Sequence, residues 1–336
     1  MQAIELTRPS LDALTRVQHP DPREPGAGRI LVRMKAASLN FLDLAVATGA
    51  YPGALYPNVP IADGAGDVIA VGPDVWQVAV GDRVAVHPKA YWIAGRSTAE
   101  TAGAMRGVTL RGSLVEIAEL DAASVVKLPG HLDWEEAATL PIAATTAWNG
   151  MVAGTVGPGS TVVLLGTGGV SVFALQLAKA RGARVIITSS SEEKLDTARA
   201  LGADETFNYR ADPDWERFVI DRTNGVGADL VVETVGGDSI ARSIAAVRQG
   251  GTIFTIGFLG GVDTRINLLS VIGKAVRIQG SNTGSVADLA AATAAIGSHR
   301  IAPQIERRFA LDDLAEGYRL MERGGHFGKI AFTLDW

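Results

Sequence analysis

The chain has 336 residues, 47% of them hydrophobic and 20% charged, with 39 glycines and no cysteine. That length exceeds the roughly 250–300 residues that one hydrophobic core sustains, so two domains are expected, and the composition excludes a disordered chain. A net charge of −5 gives no general attraction to nucleic acid or anionic membranes, and the missing thiols exclude disulfides, thiolate nucleophiles and cysteine-ligated zinc.

The opening MQAIELTRPSLDALTRV lacks the basic end, apolar stretch and small-residue cleavage site of a signal peptide. No apolar run reaches the about 20 residues that span a bilayer, so a cytoplasmic protein is expected. From residue 1 to about 123, the β-rich runs RILVRMKAAS, DGAGDVIAVG, GDRVAVHP and GSLVEIAEL alternate with Gly, Pro, Asn and Asp, which predicts a strand-rich unit. The texture changes at Asp133, where DWEEAATLPIAATTAWNGMV offers an N-cap Asp, Glu136 three residues on and an apolar face at helical spacing. Pro141 is expected to start or kink a helical turn there.

After Gly157–Pro158–Gly159 come TVVLLG, TGGVS, VFALQLAKARGA and RVIITSS, which predict strand, glycine loop, helix and strand. The alternation continues through SEEKLDTARALGA, ETFNY, DWERFVIDRTNG, ADLVVETVG, SIARSIAAVRQGG and TIFTIGFLG, as helix, strand, helix, strand, helix and strand. Such alternation predicts a parallel sheet covered on both faces. From Asp288 the texture is mixed, and the last run, KIAFTL, is expected to rejoin the first domain as a strand. There are no internal repeats and no low-complexity tract.

A dinucleotide pyrophosphate must approach backbone N–H groups at a helix N-terminus, so glycines are needed where strand turns into helix. Gly166, Gly168 and Gly169 sit at that turn, and Ser171 is the small residue one turn into the helix. In NAD-preferring sites an acid at the end of the next strand binds the adenosine ribose. Here that strand ends Thr188, Ser189, Ser190, with Lys194 one helical turn later, so NADP is expected, Ser189 and Lys194 being the candidate contacts.

Several motifs now stand in order: NFLD at Asn40–Asp43, ADGAGDVIAVG from Ala62 to Gly72, GDRV from Gly81 to Val84, AATLPIAATTAW from Ala137 to Trp148, the GTGGVS loop, FNYR at Phe207–Arg210 and FGKI at Phe327–Ile330. With them the chain resembles the medium-chain dehydrogenase/reductase superfamily over nearly its whole length, and especially its zinc-free quinone and enone reductase branches. The resemblance implies an α/β fold: a GroES-like β-barrel catalytic domain over 1–122, a Rossmann doubly wound parallel-sheet domain over 123–284, and a return to the catalytic domain over 285–336. The active cleft is expected between the two domains. The implied cofactor is NADP(H), its 2′-phosphate met by Lys194 and Tyr209, with Thr146 and Thr234 nearby and Gly257 and Phe258 bordering the nicotinamide. Asn40, Val170 and Lys329 complete the expected cofactor contacts. Zinc-containing members carry Cys in the first motif and His in the second, whereas this chain has Asn40 and Ala62, with Asp63 in place of the Glu beside that His. Neither catalytic nor structural zinc is expected, and His19, His87, His131, His299 and His326 are scattered surface or loop residues in this reading.

Without a metal, reducing an isolated carbonyl to an alkoxide is hard, whereas a conjugated acceptor spreads the charge into an enolate or hydroquinone. Asn40 is the leading catalytic candidate, its amide bonding the substrate oxygen or the nicotinamide ribose; the alternative is a turn-stabilising Asn. Tyr51, in GAYPG, resembles a pocket Tyr of related reductases and is the second candidate, a packing Tyr being the alternative. Asp43 is expected to act as a structural hydrogen-bond acceptor, Trp92 and Phe258 to wall an apolar pocket, and the segment from His87 to Arg111 to shape the substrate entrance. The expected function is zinc-independent, NADPH-dependent reduction of a quinone or α,β-unsaturated carbonyl. The alternatives are an enoyl-thioester reductase with a basic groove of Lys89, Arg96, Arg106 and Arg111, an alcohol dehydrogenase-like enzyme of the same superfamily, and a catalytically silent NADPH-binding structural or sensor protein. The resemblance also implies a homodimer through the last Rossmann strand, near Val276 to Gly284, acting on a small-molecule substrate.

Overall fold

The computed structural model describes all residues, Met1–Trp336. They form two compact units, Met1–Thr145 with Gly284–Trp336, and Thr146–Thr283.

The first unit opens with β1 (Gln2–Leu6) and β2 (Leu14–Gln18), an antiparallel pair, and continues through β3 (Arg29–Leu39), α1 (Phe41–Ala47), β4 (Asp63–Val71), β5 (Arg83–Val86), α2 (Ala99–Gly103), β6 (Ile117–Asp121), β7 (Val125–Lys127) and α3 (Trp134–Ala138). The chain then crosses to the second unit through α4 (Thr145–Ala153) and runs β8 (Thr161–Leu164), α5 (Gly169–Ala180), β9 (Arg184–Ser189), α6 (Glu192–Ala200), β10 (Glu205–Asn208), α7 (Trp215–Arg222), β11 (Ala228–Glu233), α8 (Ser239–Ala246), β12 (Val247–Thr255), α9 (Leu268–Lys274) and β13 (Arg277–Gly280). It returns to the first unit with α10 (Val286–Ser298), β14 (Ile305–Ala310), α11 (Leu314–Arg323) and β15 (Lys329–Thr333).

In the first unit the main sheet runs β14-β15-β3-β4-β5-β7, with β6 also pairing β3. β3 is central because its second half, Ala36 to Leu39, is small or apolar and fully buried. Its partner β4 approaches closely through glycine: a Cβ on Gly66 would lie 2.2 Å from the Arg33 carbonyl oxygen. β15 pairs β3 antiparallel, so the run from Lys329 does rejoin the first unit. The boundary near residue 122 falls later than the sequence suggested, at Thr145, because β7 pairs β5 and α3 packs on β3 and β4. At Asp133 the capping box forms: Asp133 Oδ1 accepts from the Glu136 N–H at 2.8 Å and Glu136 Oε2 from the Asp133 N–H at 2.9 Å. Pro141 lies in a π-helical turn, Leu140–Ala144.

The second unit is one parallel sheet of six strands in the order β10-β9-β8-β11-β12-β13. Its Val- and Ile-rich central strands are buried on both faces. The order reverses between β8 and β11, which creates a crevice at the carboxyl ends of those strands, the place where such sheets bind ligands. One expected helix is shorter than its texture suggests. SIARSIAAVRQGG leaves the helix at Ala246 because Val247 pairs with Ala228 and begins β12, and a register shift intervenes before Thr252 pairs with Leu230.

Candidate functional site

In the second unit, the turn after β8 is built by Gly166 at φ +75°, a left-handed conformation that favours glycine. Its N–H donates to Thr188 Oγ1 at 3.2 Å, which ties the ends of β8 and β9 together. Gly168 caps α5, Gly169 is its first residue and Val170 follows half-buried in the first turn, which holds no acidic residue. A Cβ at Gly166 or Gly168 would meet nothing within 4 Å, so the space over the turn is not filled by protein. Ser171 closes the turn from inside, buried and donating through its hydroxyl to the Leu165 carbonyl at 2.9 Å.

At the end of β9, Ser189 is buried and its hydroxyl accepts from the Ser191 N–H at 3.4 Å. Ser191 in turn caps α6 by accepting from the Lys194 N–H. The backbone N–H of Tyr209 donates to the Ser189 carbonyl at 3.1 Å, and its side chain is 42% exposed. Backbone contacts thus bring Ser189, Lys194 and Tyr209 to the same end of the sheet. Glu192, the first residue of α6, accepts from Asn208 Nδ2 at 2.6 Å. On the other side of the switch point, Thr234 donates to the same Leu165 carbonyl at 2.6 Å. Gly257 lies so close to it that a Cβ would come within 1.8 Å of the Thr234 carbonyl oxygen. Phe258 follows, 39% exposed, while Thr146 is buried on α4.

Sequence reasoning missed Glu233. This carboxylate, fully buried at the end of β11, accepts from the N–H groups of Val235 and Gly236 and from the hydroxyls of Ser239 and Ser243. It pins the loop that holds Thr234. The available signal was Ser239 and Ser243 four residues apart on one helix face, just after a glycine pair.

The first unit holds a second polar constellation. Asp43 Oδ2 accepts from the Asn40 N–H at 2.7 Å at the start of α1, and Asp43 Oδ1 accepts from the Ala62 N–H at 2.9 Å. Asn40 Nδ2 donates to Asp63 Oδ2 at 2.9 Å, and the Ile142 N–H donates to Asp63 Oδ1 at 3.1 Å. From β15, Lys329 Nζ donates to the Leu39 carbonyl and to Asn40 Oδ1, both at 2.6 Å, and stands 3.6 Å from Asp63 Oδ2. Asp43, Asp63 and Lys329 are all at most 3% exposed. Burial pushes the Asp63 carboxyl up to about 7 against the opposing pull of Lys329 and Asn40. Burial likewise raises Asp43 and lowers Lys329. Tyr318, fully buried with no hydrogen-bond partner for its hydroxyl, is held well above its ordinary pKa by burial and by the charge of Asp43. Asn40 is therefore engaged at both ends of its amide. Tyr51 is half-buried, its ring packed on the core, and its hydroxyl makes no hydrogen bond within the chain.

The segment from His87 to Arg111 departs from expectation in three places. His87 is fully buried, with Nδ1 against the backbone of Lys89, and burial pulls its pKa down to about 4, so it is neutral. Lys89, 2% exposed, donates through Nζ to the Ala102 carbonyl at 2.8 Å, and Arg106, 9% exposed, donates to the His87 carbonyl at 3.2 Å. Both cations bond backbone carbonyls of their own segment, and the four expected groove residues do not gather: Arg106 and the exposed Arg111 line one cavity, from whose lining Lys89 and the exposed Arg96 are absent. Trp92 turns its Nε1 onto the Gly95 carbonyl. Nowhere do three or more His, Asp or Glu side chains gather as metal ligands.

A glycine turn at the switch point of a parallel sheet is the arrangement of nucleotide-dependent oxidoreductases. Residues 169–298 match the family described as zinc-binding dehydrogenase, and residues 26–130 match the alcohol dehydrogenase GroES-like domain. The chain is 40% identical over 332 residues to a zinc-type alcohol dehydrogenase-like protein of Schizosaccharomyces pombe, covering 96% of each. It is 32% identical over 311 residues to a quinone oxidoreductase of Pseudomonas aeruginosa, covering 88% of each. The solved structure of an NAD-dependent alcohol dehydrogenase superposes with a TM-score of 0.88 at 35% identity, covering 100% of both chains. The chain belongs to the medium-chain dehydrogenase/reductase superfamily and is an oxidoreductase with a GroES-like domain and a Rossmann-like parallel sheet.

Proposed function

We propose that the chain is an NADPH-dependent oxidoreductase that delivers hydride to quinones or α,β-unsaturated carbonyl compounds without zinc. The observation that carries this reading is the Lys329 ammonium lodged beside Asn40 and Asp63. Zinc takes thiolate, imidazole or carboxylate donors. The cluster offers an amide, two buried carboxylates bound to backbone N–H groups, and a lysine whose charge repels a cation. These residues do not fit zinc.

The residues at the carboxyl ends of the second unit's strands do fit a nicotinamide dinucleotide. The unfilled space over Gly166 and Gly168, at a helix start without acidic residues, suits a pyrophosphate. The sheet end with Ser189, Lys194 and Tyr209 lacks the carboxylate that binds ribose hydroxyls and offers a cation and a phenol for a 2′-phosphate. When bound, the cofactor supplies a hydride. The N–H groups at the start of α5 hold its phosphates, and Glu233 fixes the loop that borders it. Since the residues of the cluster do not fit zinc, the reading has the substrate itself delocalise the charge it gains, which selects conjugated acceptors. Asn40, its amide occupied, is a positioning residue; Tyr51, its hydroxyl uncommitted, is the candidate donor to the substrate oxygen.

The test is initial-rate oxidation of NADPH and NADH, in chelator, with a quinone, an enone, an enoyl-CoA and a simple ketone. NADPH-selective turnover of the quinone or enone is expected. Turnover of the ketone alone, or loss of activity in chelator, overturns the proposal. We further propose a cytoplasmic homodimer. No helix is long and apolar enough to cross a membrane. β13 is an edge strand with all four residues exposed, and beside it Leu268, Leu269 and Ile272 of α9 are 69%, 79% and 71% exposed, an arrangement that a second copy would cover.

A further inference from the structure

The first unit contains a cavity of about 310 Å³ that the proposed reaction does not use. Its lining combines Arg29, Arg106 and Arg111 with apolar side chains, among them Met34, Val86 and Leu120. Arg106 is the unusual member. It is buried, yet no carboxylate lies within ion-pair distance of it. Nε donates to the His87 carbonyl at 3.2 Å and Nη2 to Ser124 Oγ at 3.3 Å, while Nη1 donates to no atom of the chain. Burial lowers its pKa only to about 10, so at neutral pH the guanidinium is charged.

A buried charge with no carboxylate in contact is destabilising, and here the charge of Arg29 adds to the cost while that of Asp121 offsets it only from beyond ion-pair distance. The one acid of the lining, Glu119, is already taken by Arg29 at 3.4 Å. Arg111 stands exposed at the rim. The lining therefore keeps a net positive charge over apolar walls. Ser113, a hydroxyl in the same lining, is committed to the Ala62 carbonyl at 3.3 Å, so few neutral donors remain for the several oxygens of a phosphate.

We propose that this cavity binds a small amphipathic carboxylate, its anionic end on Arg106 and Arg111 and its hydrocarbon part against Met34, Val86 and Leu120. The volume suits a molecule of about that size. Guanidinium pairs with carboxylate in a planar geometry that lysine cannot offer.

Titration calorimetry on the full chain, with hexanoate, hexanol and inorganic phosphate as probes, tests this. Hexanoate is expected to bind at one site, with hexanol and phosphate each at least about tenfold weaker, since either lacks half of the recognition. Arg106→Met is expected to weaken hexanoate at least about tenfold. Because Arg106 is buried, Arg111→Ala at the exposed rim is the second variant, expected to weaken hexanoate severalfold with an unchanged unfolding midpoint. Lys194→Ala, in the other unit, is expected to leave hexanoate binding unchanged. Absence of hexanoate binding, equal binding by the native chain and both arginine variants, or hexanol or phosphate binding as tightly as hexanoate, each overturns the proposal.

Discussion

Replacing Lys329 by Met keeps the length of the side chain and removes the ammonium that stands 3.6 Å from Asp63. In the native chain burial raises the Asp63 carboxyl from 3.8 to about 7. A carboxyl whose folded pKa exceeds its unfolded one binds its proton more tightly in the folded chain. The stability it confers is complete below its unfolded pKa, declines as pH rises, and levels off once pH passes about 7. At about 1.4 kcal/mol per pKa unit the decline is roughly 4 kcal/mol. Asp43, also raised by burial, acts in the same direction. Without the ammonium the Asp63 pKa moves higher still, so the variant continues to lose stability where the native chain has levelled off. At pH 5.5 the Asp63 carboxyl is protonated in both folded chains. The variant then lacks the hydrogen bonds from Lys329 to the Leu39 carbonyl and Asn40 Oδ1, a loss of about 1–3 kcal/mol, together with the pull of the ammonium on Asp43. At pH 8 the native chain holds an ionised Asp63 paired with the ammonium, and the variant lacks that pairing as well, for a total of about 3–5 kcal/mol. Urea unfolding of both proteins at the two pH values, followed by circular dichroism, measures the difference directly. The expected result is a destabilisation larger at pH 8 than at pH 5.5 by about 2 kcal/mol. An equal loss at both values, or a larger one at pH 5.5, refutes the pairing of Lys329 with an ionising Asp63.

In steady-state kinetics, Lys194→Ala and Tyr209→Ala are each expected to raise KM for NADPH about tenfold while leaving NADH nearly unchanged, since each removes a phosphate contact. Equal effects on the two cofactors would remove the basis for NADP preference. Ser189→Asp, which places a carboxylate at the end of β9, is expected to shift the preference toward NADH; unchanged selectivity would mean that the strand end does not face the ribose. By light scattering, the native chain is expected at twice the chain mass and the Leu269→Asp, Ile272→Asp double variant at the chain mass. A native monomer overturns the homodimer.

Legibility in the sequence follows the range of the interactions. The turn at Gly166 and Gly168 was readable because its cause is local: an apolar run, small residues and a helical apolar face follow one another within twenty or so positions of chain. The first-unit strands were readable as runs, but their pairing was not, and neither was the length of α8, which ends where Val247 meets Ala228 on another strand. Lys89 and Arg106 looked like surface cations because charge predicts exposure. The carbonyl of Ala102, in the last turn of α2, and that of His87, just past β5, draw those two side chains inward instead.

The polar cluster shows the limit most sharply. Asn40, Asp43, Asp63 and Lys329 each belonged to a recognisable motif, yet nothing in their spacing said that Lys329 would reach the Leu39 carbonyl across 290 positions of chain. What brings it there is the antiparallel register of β15 on β3, with Ile330 opposite Leu39. Side chains alternate along a strand, so a slip of one residue would turn Lys329 to the opposite face and leave Asn40 and Asp63 without their ammonium. The electrostatics of this site are thus fixed by strand register, and the register is held by the buried faces of Ile330 and Phe332, residues that take no part in the cluster themselves.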